Sequence, residues 1–308
     1  MNKKQLYSCL LFILLMGCAD QTPNSMENAV PAVSSEYDDS SLLSPNRILN
    51  IAHRGASGHS PEHTLTAYKT GEEMIGDYIE IDLQMTKDGQ LIAMHDMEVS
   101  RTTDSEGKVQ DFTLDEIKEL DAGSWFNEEN PELAQPVFSN VTVPSLDEII
   151  ETFGSNSNYY IETKNPDVYP DMMKELIKTL NKYDLVGEDA REGKVIIQSF
   201  SEESLIEANQ LDPSIPLIQL ISYQKTAAIS NKEINRIKEY AIGIGANYHH
   251  LTKEYVSKVR SAGLLLHPYT VNEPEDMKRL IDWGVTGMFT DYPDRLSNVL
   301  REIEDKEI

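Results

Sequence analysis

Cysteine is nearly missing: the 308 residues contain two, Cys9 and Cys18. Both lie near the N-terminus, so no thiol pair is left to staple a folded domain, and no Cys-rich zinc pattern exists. Positive charge is scarce as well. The 27 basic residues face 52 acidic ones, a formal net charge of -25. That balance speaks against nucleic acid as a partner, because binding a phosphate backbone needs a basic surface. It also speaks against broad adsorption to an anionic membrane. A small anionic ligand can bind only where a cation or a local basic cluster reverses the field. Long apolar runs are lacking too: Leu10 to Met16 is seven residues, too short to span a bilayer. Gly243-Ile244-Gly245 has no third glycine, which removes a dinucleotide fingerprint, and no internal repeat is visible. What is present is an apolar share of 40%, enough for a sizeable core in one large or two medium domains.

The N-terminus reads as an export signal. Lys3 and Lys4 precede the short apolar run, which ends in Leu15-Met16-Gly17-Cys18. This resembles the bacterial lipoprotein box, in which the Cys becomes the acylated first residue. The expectation is a signal peptide over 1–17, lipidation at Cys18 and a flexible tether over 18–46, rich in Ser, Asn, Pro and acids. The domain over 47–308 is then exported and held at the membrane by the lipid alone, facing outside the cytoplasm.

From Ile48 onward strand-like and helix-like stretches alternate, which predicts an α/β fold with a parallel sheet. Apolar runs fall at Ile48–Ala52, Tyr78–Met85, Tyr159–Thr163, Val195–Ser199, Pro216–Ile221, Ile242–Ala246, Leu264–His267 and Gly287–Thr290. Helical stretches lie between them, at Tyr169–Tyr183, Ser201–Asn209, Asn231–Tyr240, Thr252–Ala262, Pro274–Trp283 and Asp294–Ile303. Thr113 to Glu116 and Ser145 to Glu148 read as capping boxes. About eight units over roughly 260 residues fit a TIM-type (β/α)8 barrel, although alternation alone also allows an open doubly wound sheet. Residues 97–144 break the rhythm and read as a small insertion after the second strand region.

Tyr78-Ile79-Glu80-Ile81-Asp82-Leu83-Gln84-Met85 is the most informative stretch. In a strand, alternate side chains share a face, so Glu80, Asp82 and Gln84 point into the barrel and the apolar set points to the helices. Two carboxylates converging in a low-dielectric interior are costly unless a cation or proton compensates them. Glu162 and Lys164 share a face at another strand end, and a third carboxylate would complete a hard-oxygen site suited to Ca2+ or Mg2+. Lys164 is expected to reach a substrate phosphate rather than pair with Glu162. His53 and His95 both fall at strand ends and suit the two proton transfers of phosphodiester hydrolysis. Arg54 adds a planar cation for phosphate oxygens. His59, His63, His249 and His250 read as loop residues, while His267 and Tyr269 fall where they could line the pocket. Trp125 and Phe126 read as packing within a lid.

His53-Arg54-Gly55, Pro61-Glu62-His63-Thr64, Glu80-Ile81-Asp82, Thr86-Lys87-Asp88-Gly89, His95-Asp96, Arg101-Thr102-Thr103-Asp104 and Glu162-Thr163-Lys164 appear in order. Thr270-Val271-Asn272 and Thr290-Asp291-Tyr292-Pro293 follow. This series, over about residues 48–303, resembles the glycerophosphodiester phosphodiesterase family. The resemblance implies His53 and His95 as the acid–base pair, Glu80, Asp82 and Glu162 as ligands of one divalent cation, and Arg54 and Lys164 on phosphate. Glu62 and Tyr269 are the further substrate-binding candidates. The chain departs from the series at His63, where the family usually carries Asn. The implied reaction releases glycerol 3-phosphate and an alcohol from a small glycerophosphodiester, with no obligate protein partner. The rival readings are a barrel phospholipase, a teichoic acid hydrolase and a non-catalytic glycerophosphodiester-binding lipoprotein. A binder has no reason to keep two acid–base histidines.

Overall fold

Strands buried on both faces should read as nearly continuous apolar runs, and here they do. In the computed structural model, which describes residues 41–187 and 190–307, the first strand, β1 (Leu49–Ala52), has sequence LNIA and is buried throughout. Eight parallel strands follow one another around a sheet: β1, β2 (Tyr78–Met85), β4 (Tyr159–Thr163), β5 (Val195–Ser199), β6 (Leu217–Ile221), β7 (Gly243–Asn247), β8 (Leu265–Tyr269) and β9 (Gly287–Thr290). These coincide with the eight expected strands to within one or two residues. A ninth, β3 (Leu91–Ala93), is antiparallel and pairs only with β2.

The sheet curls until its edges meet. Thr286 N–H donates to Leu266 O at 3.0 Å, Leu266 N–H donates to Thr286 Oγ1 at 2.9 Å, and Val271 N–H donates to Phe289 O at 2.8 Å. These bonds join β8 to β9 without a regular ladder, giving a nearly closed TIM-type barrel. The helices surround it: α1 (Leu65–Glu73), α4 (Leu146–Phe153), α5 (Met172–Lys182), α6 (Glu202–Leu211), α7 (Asn231–Ile237), α8 (Lys253–Ser261), α9 (Pro274–Trp283) and α10 (Pro293–Glu307). Ser145 begins α4 with a complete capping box, its hydroxyl accepting from Glu148 N–H while the Glu148 carboxylate accepts from Ser145 N–H. The outward strand residues Ile79, Ile81, Leu83 and Met85 join the shell packed against these helices.

The inward residues form layers. A floor of Tyr78, Tyr160, Ile196, Ile218 and Phe289 forms a buried apolar cluster. One pleat higher the same strands present Glu80, Glu162 and Gln198, because the side-chain period is two residues. The barrel is therefore apolar at its N-terminal end and ionic at its C-terminal end.

Two expectations need correction. Residues 41–46, assigned to the tether, belong to the folded body: Leu42 is 4% exposed and joins the barrel floor, and Pro45 O accepts from Arg260. An apolar side chain that covers an open barrel end is removed from water whatever the polarity of its neighbours. The signal segment, Cys18 and the tether up to residue 40 lie outside the described residues. Helix α1 was also unforeseen; its Gly71 sits where a Cβ would lie 2.9 Å from the Ala52 Cβ, so glycine lets the helix close on β1.

The insertion over 97–144 carries α2 (Leu114–Lys118) and α3 (Ser124–Glu129) around a small core of its own. Val99, Val109, Ile117, Ala122 and Val143 pack there with Ile92 and Met94 of the hairpin. Phe126 stacks edge-on to Phe138 at 5.6 Å and the Trp125 indole donates to Ala122 O, so both aromatics serve packing, as expected. Among the described residues no helix is long and apolar enough to cross a membrane.

Candidate active site

The ionic end of the barrel surrounds a cavity of about 160 Å³. His53, Arg54, Glu80, Asp82, His95, Glu162, Lys164 and Gln198 line it, together with Phe200, Leu220, Tyr269, Thr270 and Phe289. Nine of the ten expected site residues lie in the described part, and eight of those nine meet here.

Glu80 and Asp82 are each 1% exposed. Burial and the neighbouring Asp82 and Glu162 push the Glu80 carboxyl well above its usual range. Glu162 is pushed up to about 8 by burial and by Asp82, against the pull of Lys164. Asp82 goes the other way: burial would raise it, but Lys164, His63 and Arg54 hold it well below. Three carboxylates in one low-dielectric pocket cannot all carry charge cheaply without cations, so Glu80 and Glu162 are pushed up while the positive groups around Asp82 hold it down. Lys164 Nζ lies 2.8 Å from Glu162 and 3.9 Å from Asp82, so here it pairs with the carboxylates it was expected to bypass.

Backbone geometry serves the same cluster. Arg54 takes a left-handed conformation (φ 57°), which aims its N–H at Glu80 Oε2, 2.7 Å away. His63 is also left-handed (φ 56°), and its N–H closes the loop on Arg54 O. Residues with a Cβ seldom adopt this region, and such strain persists where the surroundings over-determine it.

His63 lies in the loop after β1, as expected, but its side chain joins the site. It is buried, with Nε2 2.9 Å from Asp82 Oδ2 and Nδ1 2.8 Å from the Tyr68 hydroxyl. Both bonds are satisfied when Tyr68 donates to Nδ1 and the Nε2 proton goes to Asp82. His63 thus holds Asp82 in place, and His63, Glu80 and Asp82 lie close enough together to form a metal-binding group.

Each histidine at the mouth leans on an aspartate. His53 Nδ1 is 2.6 Å from Asp291 Oδ1, and Asp291 is held by Ser57 Oγ (2.9 Å) and Asn272 Nδ2 (2.6 Å). His95 Nδ1 is 2.6 Å from Asp96 Oδ1, and burial draws the His95 ring down to about 4. In each pair Nδ1 is occupied, which leaves Nε2 for chemistry. Glu62 does not line the cavity: its oxygens accept from Arg54 Nη1 at 3.0 Å and from Arg101 at 2.8 and 3.0 Å. Tyr269 lines the cavity with its ring, the hydroxyl donating to Ile221 O. His267 lies in the closed interior against Tyr160, 0% exposed, and burial draws it down to about 3. It is not a pocket residue, since β8 buries it one pleat below the mouth.

A profile of the glycerophosphoryl diester phosphodiesterase family matches residues 53–295, from the first histidine of this cluster to just beyond Asp291. The chain belongs to that family. It is an enzyme, a phosphodiesterase that cleaves glycerophosphodiesters. It is 51% identical over 289 residues to a glycerophosphodiester phosphodiesterase of Bacillus subtilis, covering 94% of this chain and 96% of that one. A glycerophosphodiester phosphodiesterase of Caldanaerobacter subterraneus is 38% identical, over 83% of this chain and 99% of its own. Among solved structures, an Oleispira antarctica phosphodiesterase in complex with its product sn-glycerol-3-phosphate superposes with a TM-score of 0.71 at 27% identity, covering 82% and 96% of the two chains.

Sequence reasoning missed four residues of this phosphodiesterase's site. Gln198 donates to Glu80 Oε1 at 3.3 Å, His63 orients Asp82, and Asp291 and Asp96 hold the two histidines. Asp291 and Asp96 stood in the quoted motif series, which was the signal available for them. Gln198 carried none.

Proposed function

We propose that this phosphodiesterase hydrolyses small glycerophosphodiesters, such as glycerophosphocholine, to sn-glycerol 3-phosphate and an alcohol. The single observation that carries the reading is the arrangement of two histidine–aspartate pairs around one buried carboxylate cluster. The product bound by the Oleispira relative supports glycerol 3-phosphate as the group released.

Glu80, Asp82 and Glu162 form an all-oxygen donor set that fits one hard divalent cation, Ca2+ or Mg2+. Asp82 Oδ1 is buried without a hydrogen-bond donor, and such an atom is costly unless something positive meets it. When bound, the cation would neutralise phosphate charge and fix a glycerol hydroxyl. Arg54 and Lys164, both on the cavity wall, bind the non-bridging phosphate oxygens. One of His53 and His95 accepts the proton of the attacking hydroxyl, which belongs to water or to the substrate's own 2-hydroxyl. The new oxygen–phosphorus bond forms as the ester bond breaks, and the other histidine gives its proton to the departing alkoxide. Where the 2-hydroxyl attacks, the product is a cyclic phosphate, which water then opens to glycerol 3-phosphate with the two histidines exchanging roles. The neighbouring aspartates keep each ring in one tautomer throughout.

We further propose export through residues 1–17 and lipidation at Cys18, on the strength of the short apolar run and its Leu-Met-Gly-Cys ending. Mass spectrometry of the mature N-terminus tests this; an unmodified chain beginning at Met1 would refute it.

The enzymatic reading is tested by glycerol 3-phosphate release from glycerophosphocholine with added Ca2+ or Mg2+, with and without chelator. Release that depends on the cation is expected. His53→Ala and His95→Ala should each lower turnover by on the order of a hundredfold or more in folded protein. Near-normal turnover in either variant removes that histidine from the mechanism.

A further inference from the structure

Arg101 stands in the motif series, yet the mechanism above leaves it without a task. It lies on a short helical turn of the insertion, Val99–Arg101, anchored by the fully buried Val99 and by the Thr103 hydroxyl bonded to Val99 O. Its guanidinium meets two carboxylates at once. Nη1 and Nη2 donate to Glu62 at 3.0 and 2.8 Å, and Nε donates to Asp96 Oδ2 at 2.5 Å. Each of those carboxylates holds a residue of the site on its other side. Glu62 accepts from Arg54, and Asp96 holds His95 Nδ1.

The result is an unbroken chain of ionic hydrogen bonds, Arg54–Glu62–Arg101–Asp96–His95, whose two ends both line the cavity. We propose that Arg101 is a positioning residue that fixes the phosphate-gripping Arg54 and the proton-transferring His95 relative to one another. The inference rests on those two roles as assigned above.

The side-chain type fits the task. A planar guanidinium presents two edges in a rigid fork, so one edge serves Glu62 bidentately while Nε serves Asp96. An ammonium is a point charge and cannot satisfy both geometries. An isolated exposed ion pair contributes little. This one differs because Glu62 is only 12% exposed, is gripped from both sides, and has no direct access to the cavity. Without Arg101, Asp96 keeps a single partner in His95 and can swing into solvent with it, while Arg54 keeps Glu62 but loses the anchor behind it. Misplacement by a fraction of an ångström is enough to cost rate in a preorganised site.

The test compares the purified full chain with Arg101→Ala, Arg101→Lys and His95→Ala, following glycerol 3-phosphate release from glycerophosphocholine and the thermal midpoint. Arg101→Ala should keep a midpoint within a few degrees of the parent, lower kcat about 10- to 100-fold and raise KM several-fold. Millimolar guanidinium should restore part of that loss, where sodium at equal ionic strength does not. Arg101→Lys should stay at least fivefold below the parent. Parent-like kcat and KM in Arg101→Ala, with His95→Ala inactive, would overturn the inference and leave the enzymatic reading standing. Loss without guanidinium rescue, together with a lowered midpoint, would make Arg101 mere structural support and overturn it as well. If the alanine variant does not fold, parent-like kcat in Arg101→Lys decides against the proposal. Normal turnover in His95→Ala would remove its premise.

Discussion

His53 and His95 each sit 2.6 Å from an aspartate, yet the two pairs are built from different material. Asp291 directly follows β9 and takes Ser57 and Asn272 as well as His53. Its carboxyl is held far below the usual range, burial notwithstanding, by these donors. Asp96 is the residue next to its histidine, on a hairpin end, about a third exposed, and its second partner comes from the insertion. One histidine is thus fixed by the barrel itself and the other by a device added to it. A barrel supplies rigid strand ends, but here they already carry Glu80, Asp82, Glu162 and Lys164. The second histidine, proposed for proton transfer, is brought in from a loop and then tied down.

The largest expected effect breaks this comparison at its rigid side. Asp291→Asn should lower turnover on the order of a hundred- to a thousandfold, because an amide held by Ser57 and Asn272 can turn its NH2 towards His53 and impose the wrong tautomer. Asp96→Asn should cost only about tenfold, since Asp96 has one partner besides His95 and water can reorganise around it. Steady-state kinetics on the two folded variants checks the order. Equal losses would mean that the extra donors on Asp291 do not separate the pairs.

A third histidine–carboxylate pair sharpens the contrast, because it involves no proton transfer. His63 and Asp82 are both buried, and Tyr68 fixes the histidine tautomer from behind. Removing the donor in His63→Ala should weaken cation binding about tenfold, and Tyr68→Phe a few-fold, within the range for outer-shell partners of metal ligands. Calorimetric titration of Ca2+ or Mg2+ into each variant reads this directly. Unchanged affinity in His63→Ala would show that Asp82 keeps its orientation unaided.

How much of this was legible beforehand depends on which interaction is local. The barrel strands announced themselves because burial on both faces forces continuous apolar runs, and Glu80 and Asp82 because two charges interrupt such a run at period two. The partner of His53 lies 238 residues away, and no local pattern connects them. His63 looked like a loop residue because it precedes α1, itself obscured by the polar run Thr66 to Glu73 around a packing glycine. The departure from the family pattern at position 63 was the one clue, and it pointed at the right place. Residues 41–46 misled for the opposite reason: a polar stretch hid Leu42, whose burial depends on a barrel floor the sequence does not display.

The smallest effect concerns the ionic chain that ties down the weaker pair. Burial alone would raise the Glu62 carboxyl, but Arg101 and Arg54 bring it down to about 2, against an ordinary value of 4.5. A depressed folded-state pKa contributes stability that is fully present above the unfolded value and is lost as pH falls through the folded one. The window is therefore from about pH 5 down towards 2. The shift alone would correspond to about 3 kcal/mol, but Arg101 is 42% exposed and solvent screening leaves about 1 kcal/mol. Glu62→Gln keeps the shape and loses the charge. Its thermal midpoint at pH 7 should sit about 2 to 4 °C below the parent, and the gap should narrow as both are acidified below pH 4.5, because only the parent has this contribution to lose. A gap that stays constant from pH 7 to pH 3 would mean that Glu62 is not held as an anion between its two arginines.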